Sequence, residues 1–242
     1  MTSYDTIGRN YTRMRDTEPR YAERIWAALG DEPILNVGAG SGSYEPPDRA
    51  VVAVEPSEVM VSQRPVGAAP AVRAVAERLP FADDTFGSTM GVLTVHHWSD
   101  PTAGLSECRR VTRGPIAVVC SDLEAWRQTW LARDYFEDFP DLSGEIDVHE
   151  IAALLGTERI EVLRTPADCR DGFLLAYWRR PEAYLDPNVR AGVSWFATVG
   201  EERTARFVEE LSTDLRSGRW RERNADVLDM DDYDGMHRLV IA

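Results

Sequence analysis

Short apolar runs separated by glycine, proline and charged residues dominate the first half of the chain. Each run is rich in β-branched residues, which is typical of buried strands. The runs predict strands near residues 34–37, 51–54, 71–75, 89–94 and 116–120. Helical patterns intervene around residues 57–63 and 101–111, and this alternation predicts an α/β fold on a mostly parallel sheet.

Helices are expected before the first strand. Residues 4–29 have a helical pattern that breaks near Pro19. The helix after the break would run over Tyr21–Leu29 and end at Gly30, because glycine is a usual carboxyl cap.

The carboxyl-terminal half predicts one more helix and two more strands. Asp147 is placed to cap a helix that runs to Leu155 and ends at Gly156. An alternating pattern predicts a sixth strand over 159–164, and the chain ends on an apolar run that predicts a last strand over 237–242.

Aromatic side chains are concentrated in two stretches of this half. Residues 123–136 carry them at helical spacing, and residues 173–231 form an aromatic-rich insertion between the last two predicted strands. Taken alone, the composition of the insertion favours a satellite hydrophobic core.

A glycine run follows the first predicted strand. Gly38, Gly40 and Gly42 would let the backbone approach a ligand where any Cβ atom would collide. The next apolar run ends at Glu55, whose carboxylate would lie beside the glycines and could accept hydrogen bonds from a ribose diol. These features predict a nucleoside site at the carboxyl edge of the sheet. The dinucleotide fingerprint G-x-G-x-x-G does not match, because Ser43 stands at its third glycine.

Four motifs in order resemble class I S-adenosylmethionine (SAM)-dependent methyltransferases. The glycines of residues 38–42 resemble motif I of these enzymes. Residues 76–86 look like the A-E-x-L-P-F-x-D-x-(S/T)-F signature of the type 11 subgroup, which includes ubiquinone/menaquinone C-methyltransferases. Residues 92–100 resemble the fourth strand and its loop, and residues 105–111 resemble the helix before the fifth strand. The resemblance covers residues 4–122, about half of the chain.

The resemblance implies a fold, a cofactor and a set of contacts. The fold would be Rossmann-like and doubly wound, with a mostly parallel seven-stranded sheet, helices on both faces and helical lid insertions. The cofactor would be SAM, leaving as S-adenosylhomocysteine (SAH). The residues expected to hold it are Tyr11, Arg15, Gly38, Ala39, Gly40, Gly42, Glu55, Pro56, Ser57, Met60, Ala76, Glu77, Leu79, Leu93 and Thr94.

The chain departs from the family pattern at several places, three of which concern the expected cofactor site. Asn36 stands where an acid usually precedes the first glycine, and Val75 where an aspartate commonly accepts from the adenine amine. Only residues 43–50, including Pro46 and Pro47, connect the first two strands. Because such crossovers usually need a dozen or more residues, we expect the first crossover helix to be cut to about one turn.

His96 and His97 follow the fourth predicted strand, where the resemblance implies that the methyl group points. An imidazole with a pKa near 7 suits proton removal from an acceptor, so His97, and then His96, are the candidate catalytic residues. A structural role for the pair is the alternative.

Composition narrows the classes of partner. The net charge is −14 and all 27 basic residues are arginine, which disfavours nucleic acid and anionic membranes and excludes lysine chemistry. Three widely spaced cysteines argue against a zinc cluster, and nothing demands a metal. No apolar run approaches a membrane span and the amino terminus lacks a signal-peptide pattern, so we expect a cytoplasmic protein that acts on a small molecule.

The sequence therefore predicts a SAM-dependent methyltransferase with a small-molecule acceptor (O, N or C), in secondary metabolism. A SAM-binding protein without methyl transfer, acting as a scaffold or rearrangement catalyst, and an NAD(P)-dependent oxidoreductase stay open as alternatives. The chain would be one domain over 1–242, and the sequence leaves its oligomeric state open. Its expected parts are a helical cap (1–30), a SAM-binding core (31–122), core completion (123–172), a helical substrate-covering insertion (173–231) and the last strand (232–242).

Overall fold

A seven-stranded sheet organises the computed structural model, which describes residues 16–137 and 146–242. The strands within these ranges are β1 (Ile34–Val37), β2 (Val51–Val54), β3 (Ala71–Val72), β4 (Ser88–Val92), β5 (Ile116–Ser121), β6 (Ile160–Val162), β7 (Thr165–Pro166), β8 (Asp232–Tyr233) and β9 (His237–Ile241). The sheet has the order β3-β2-β1-β4-β5-β9-β6. β9 runs antiparallel to both neighbours, and the other pairings are parallel. The short β7 and β8 pair separately.

Helices cover both faces of this sheet, as the sequence predicted. The α-helices are α1 (Pro19–Ala28), α2 (Glu58–Ser62), α3 (Pro101–Val111), α4 (Leu123–Gln128), α5 (Trp130–Tyr135), α6 (Val148–Leu154), α7 (Pro187–Ala191), α8 (Ser194–Val199), α9 (Glu201–Ser217), α10 (Arg219–Arg223) and α11 (Ala225–Leu228). Successive side chains of a strand point to opposite faces. In β5, Val118 packs in a core with α3 and α6, whereas Val119 packs in a second core with α1.

A third hydrophobic core lies in the carboxyl-terminal half and is built largely from aromatic rings. Trp130 and Trp178, both fully buried, pack in it with Phe207 of α9. The Trp130 Nε1–H donates to the Trp178 carbonyl oxygen at 3.0 Å. The satellite core expected of residues 173–231 is present, and it also takes in α4 and α5, which precede the insertion in the chain.

Capping residues explain several helix boundaries. The Asp100 carboxylate accepts from the Ala103 amide at 3.0 Å and begins α3, with Pro101 as its first residue. Asp147 accepts from the His149 amide at 2.8 Å and begins α6, which confirms the predicted cap. These side chains satisfy amide groups that have no partner within the helix.

The prediction of a one-turn helix between β1 and β2 is wrong, because turns alone connect these strands. Pro46 and Pro47 supply no backbone N–H, which disfavours a helix in so short a connection. The space is filled instead by α1 and by Tyr44, which pack with Ile34 and Val51 on this face of the sheet.

Other predicted boundaries also differ from the structure: β4 ends at Val92 rather than near residue 94, and β6 is Ile160–Val162 rather than 159–164. α1 ends at Ala28 with Leu29 as its cap, and Gly30 serves a close approach instead, since a Cβ atom there would lie 2.7 Å from Pro115 Cδ. β3 pairs over two residues only, and the chain then leaves the sheet. The helical stretch 123–136 is two helices, because Thr129 has extended backbone and caps α5 through its hydroxyl.

Candidate functional site

A cavity of about 290 Å³ opens at the carboxyl edge of the sheet. The ends of β1, β2 and β4 meet here because neighbouring parallel strands finish at the same edge. Open α/β sheets bind ligands at such an edge. The cavity wall includes these residues predicted from the sequence: Gly38, Ala39, Gly40, Glu55, Pro56, Met60, Ala76, Glu77, Leu93, Thr94 and His97.

The glycine loop, residues 38–42, forms one wall of the cavity. Gly38, Gly40 and Gly42 all have positive φ angles, of 67°, 52° and 90°, which side-chain-bearing residues rarely adopt. A Cβ atom on Gly38 would lie 1.8 Å from Thr94 Oγ1. The loop therefore needs glycine at this position for its backbone angles and for its contact with the chain after β4.

Glu55 joins the glycine loop to the start of α2. Its side chain is buried, and its two carboxylate oxygens accept from the Gly40 amide at 2.9 Å and from the Ser57 amide at 2.8 Å. Each carboxylate oxygen has more than one lone pair, so these contacts leave capacity for a hydroxyl donor. Ser57 in turn caps α2, accepting from the Met60 amide at 3.3 Å.

The opposite wall is the turn that follows β4. Leu93 has a positive φ angle of 51°, which is rare outside glycine and costs free energy. Its amide donates to the Val119 carbonyl at 2.8 Å, and the Trp98 Nε1–H donates to Thr94 Oγ1 at 3.2 Å. These contacts hold the strained turn against the cavity.

His96 and His97 lie side by side in this turn, with ring centroids 3.8 Å apart. His97 faces the cavity and His96 does not. Desolvation lowers the pKa of His97 to about 3, with a smaller lowering from His96, and burial lowers the pKa of His96 to about 4. Both imidazoles are therefore neutral at pH 7.

Glu77 lines the cavity and organises the turn at the start of α3. Its Oε1 accepts from the Ser99 amide at 2.6 Å, the Ser99 hydroxyl at 2.8 Å and the Asp100 amide at 3.1 Å. Desolvation raises the pKa of this carboxyl, but the hydrogen bonds to its charged form outweigh that effect and keep the pKa below its ordinary value.

Some residues assigned to cofactor or catalysis from the sequence lie outside the cavity wall. Gly42, Ser57, Leu79 and His96 do not line it, and Tyr11 and Arg15 fall outside the described residues. Leu79 is instead buried in the core on the α3 side of the sheet, where its amide donates to Glu107 Oε2 at 2.8 Å. Sequence spacing placed these residues near the site without determining which way they face.

Other residues of the wall were missed. The unpredicted lining residues are Asn36, Ser41, Ser43, Tyr44, Val54, Ala74, Val75, Met90, Val92, Trp98 and Ser99. Most of them adjoin a recognised motif, so extending each motif by a few residues would have found them. Tyr44 could not be found in this way, because its place in the cavity wall depends on how the helix-free connection between β1 and β2 folds.

The charged residues of the cavity wall, within the described ranges, are Glu55 and Glu77. No cluster of possible metal ligands occurs among the residues that the structure describes. No helix within 16–137 or 146–242 is long and apolar enough to cross a membrane. The site is thus a cleft with acidic and neutral polar groups.

Residues 35–115 match the family model of the type 11 methyltransferases, described as a methyltransferase domain. A solved structure from Anabaena variabilis, described as a candidate methyltransferase from an antibiotic biosynthesis pathway, is 29% identical in sequence. The match covers 95% of this chain and 98% of that chain, with a TM-score of 0.87. No match to a curated protein reaches significance.

Two further solved structures match with lower sequence identity. A SAM-dependent methyltransferase of Thermotoga maritima, described as a possible histamine N-methyltransferase, is 22% identical with a TM-score of 0.48 over 60% of this chain and 72% of that chain. The [4+2]-cyclase SpnF is 15% identical with a TM-score of 0.51 over 92% of this chain and 79% of that chain. The family match and the Anabaena structure confirm the resemblance drawn from the sequence motifs.

Proposed function

The chain has the fold of the class I SAM-dependent methyltransferases, and from this premise we propose that it transfers a methyl group from SAM to a small-molecule acceptor. The observation that carries the proposal is the cavity at the ends of β1, β2 and β4, with the glycine loop on one side and Glu55 behind it. The Anabaena relative supports a role in secondary metabolism.

The residues present fit SAM. The glycine loop provides a backbone surface that a side chain at Gly38 would obstruct, and the Glu55 carboxylate has lone pairs for ribose hydroxyls. Met60, 3% exposed, and Ala76 supply apolar surface for an adenine ring beside the loop. We assign the cofactor to these groups, with Leu93 and Thr94 on the facing wall.

When bound, SAM supplies a methyl group that its sulfonium has already activated. The chain then has to align the acceptor and exclude water from the cavity. We assign acceptor alignment to His97, the histidine of the turn after β4 that faces the cavity. Desolvation keeps the pKa of His97 below its ordinary value, so its imidazole is neutral near pH 7 and can hydrogen-bond an acceptor.

The charge of the wall favours some acceptors over others. Glu55 and Glu77 are acidic, and no arginine of the described ranges lines the cavity. Within this described part of the wall, an anionic acceptor would meet like charges and no arginine. We therefore propose a neutral or cationic acceptor, methylated on oxygen, nitrogen or carbon.

Calorimetric titration with SAM and SAH tests the cofactor assignment, with Glu55→Ala as the control. We expect micromolar binding of both ligands and its loss in the control. Absence of binding to folded wild-type protein would refute the proposal. A set of neutral and cationic acceptors, followed by SAH release, then tests methyl transfer itself.

The fold also permits SAM binding without methyl transfer. SpnF has the same overall fold and is a [4+2]-cyclase, so this architecture alone does not specify methylation. A scaffold or rearrangement catalyst is therefore the second candidate. SAM binding without SAH release across the acceptor set would favour it, and turnover with any acceptor would exclude it.

A further inference from the structure

A buried ion pair lies behind the glycine loop, outside the cavity wall. Arg64 Nη2 is 2.8 Å from both carboxylate oxygens of Glu45. The two side chains are only 6% and 9% exposed. Glu45 belongs to the crossover between β1 and β2, and Arg64 follows α2, so the pair joins two connections that flank the loop.

The pair contacts the loop and the strand beneath it. Arg64 Nη1 donates to the Gly40 carbonyl at 3.3 Å, and Asn36 Nδ2 of β1 donates to Glu45 Oε1 at 3.1 Å. A Cβ atom on Gly42 would lie 3.1 Å from Arg64 Nη1 and from Glu45 Oε2. One guanidinium therefore meets the loop at Gly40 and passes close to it at Gly42.

We propose that the Glu45–Arg64 ion pair positions the glycine loop for SAM, taking the place of a crossover helix between β1 and β2. The crossover has turns only, so no helix in it supports the loop. Arg64 fixes the Gly40 carbonyl, and Glu55 fixes the Gly40 amide at 2.9 Å on the other side of the same residue. Both the backbone amide and the backbone carbonyl of Gly40 are thus hydrogen-bonded to side chains from outside the loop.

The same geometry accounts for Asn36, where the family usually has an acid. Asn36 is 4% exposed, and its amide donates to the Glu45 carboxylate. An aspartate at this position would place a second carboxylate against Glu45 in a buried setting, where like charges repel strongly. The Asn36 amide and the Glu45–Arg64 ion pair therefore belong to one hydrogen-bonded network, in which an amide at position 36 is the compatible group.

This inference rests on the proposed SAM site, and its test separates positioning from general stability. Removing one partner of a buried pair leaves an uncompensated charge and is strongly destabilising, whereas removing both charges is often nearly neutral. Glu45→Gln/Arg64→Met removes both charges and keeps an amide oxygen for Asn36. Arg64→Lys keeps the charge but loses the planar fork that reaches several acceptors at once.

The experiment measures the melting temperature and the Kd for SAM and SAH by calorimetry. We expect each single variant, Glu45→Gln or Arg64→Met, to lower the melting temperature and to raise the Kd at least tenfold. The double variant should recover much of the melting temperature while its Kd stays at least tenfold above wild type. Arg64→Lys should raise the Kd with a smaller loss of melting temperature.

Arg238→Met is the matched control, because Arg238 is 10% exposed and pairs with Asp122 at 2.9 Å and Asp234 at 2.7 Å. It lies on β9, three strands from β1, and should lower the melting temperature with a Kd within twofold of wild type. A double variant with wild-type Kd, or a control whose Kd rises as much as that of Arg64→Met, overturns the positioning role. Folded wild-type protein that binds neither ligand overturns the proposed function, and this inference with it.

Discussion

Replacing Gly38 with alanine perturbs the glycine loop where it approaches the turn after β4. Gly38 has a φ angle of 67°, and an added Cβ atom would lie 1.8 Å from Thr94 Oγ1 and 2.7 Å from Thr94 Cβ. Thr94 is buried, and it follows Leu93, whose own φ angle is positive. The turn has little room to move away.

Two effects add to the cost of this substitution. A left-handed backbone angle costs about 1 to 2 kcal/mol for a residue with a Cβ atom. Forcing an extra methyl group into a packed site costs about 1 to 3 kcal/mol more. We therefore expect Gly38→Ala to lower the free energy of unfolding by about 2 to 5 kcal/mol, and to raise the Kd for SAM at least tenfold.

Gly67→Ala separates the two effects. Gly67 has a φ angle of 88°, and no atom lies within 4 Å of its would-be Cβ. This variant carries the backbone cost without the overlap, so it should lose about 1 to 2 kcal/mol and bind SAM as wild type does. Urea denaturation and calorimetry measure both quantities. Equal losses of stability in the two variants, with unchanged SAM binding in Gly38→Ala, would refute the reasoning.

Three further predictions concern titratable groups of the site. Because desolvation keeps the pKa of His97 below its ordinary value, kcat/KM should show no His97-dependent fall near pH 6.5. Because His97 aligns the acceptor, His97→Ala should lower kcat about 10²-fold and His97→Asn less, whereas a fall near pH 6.5 that His97→Asn abolishes would contradict this. The folded-state pKa of His96, about 4, lies below the unfolded value, so its contribution to stability is complete above pH 6.5 and is lost as the pH falls. Urea denaturation at pH 7 and 5 should therefore show a loss of stability on the order of 2 kcal/mol smaller in His96→Gln than in wild type; equal losses in the two proteins would rule this out. Glu55→Gln should lower the free energy of unfolding by about 1 to 3 kcal/mol, because the side-chain NH₂ of glutamine would face the backbone N–H of Gly40 or Ser57. Glu58→Gln is the exposed control. An equal change in the two variants would count against a stabilising role for the buried contacts of Glu55.

Local signals in the sequence determined the central sheet and the wall beside it. β-Branched runs predicted β1, β2 and β5 to within a residue, because burial on both faces of a parallel sheet requires continuous apolar strands. The glycine run and Glu55 were also recognisable from local sequence. Their chemistry is set by backbone angles and by position at a strand end, which spacing along the chain already reveals.

The tertiary structure decided which side chains meet at the site. Arg64 reaches Glu45 and Gly40 only because the β1–β2 connection has turns in place of a helix, and no local pattern gives that path. Tyr44 enters the cavity wall for the same reason. The lowered pKa of His96 likewise depends on its burial by residues distant in sequence, which the local sequence does not reveal.

The sequence by itself therefore determined the succession of strands and helices from β1 to β5, the glycine loop and the acid beside it, since each follows from neighbours along the chain. Only the tertiary structure shows which side chains support that loop, which histidine faces the cavity, and that α4 and α5 pack in the aromatic core. These depend on contacts between residues far apart in sequence, whose energies come from burial and close packing rather than from local propensity.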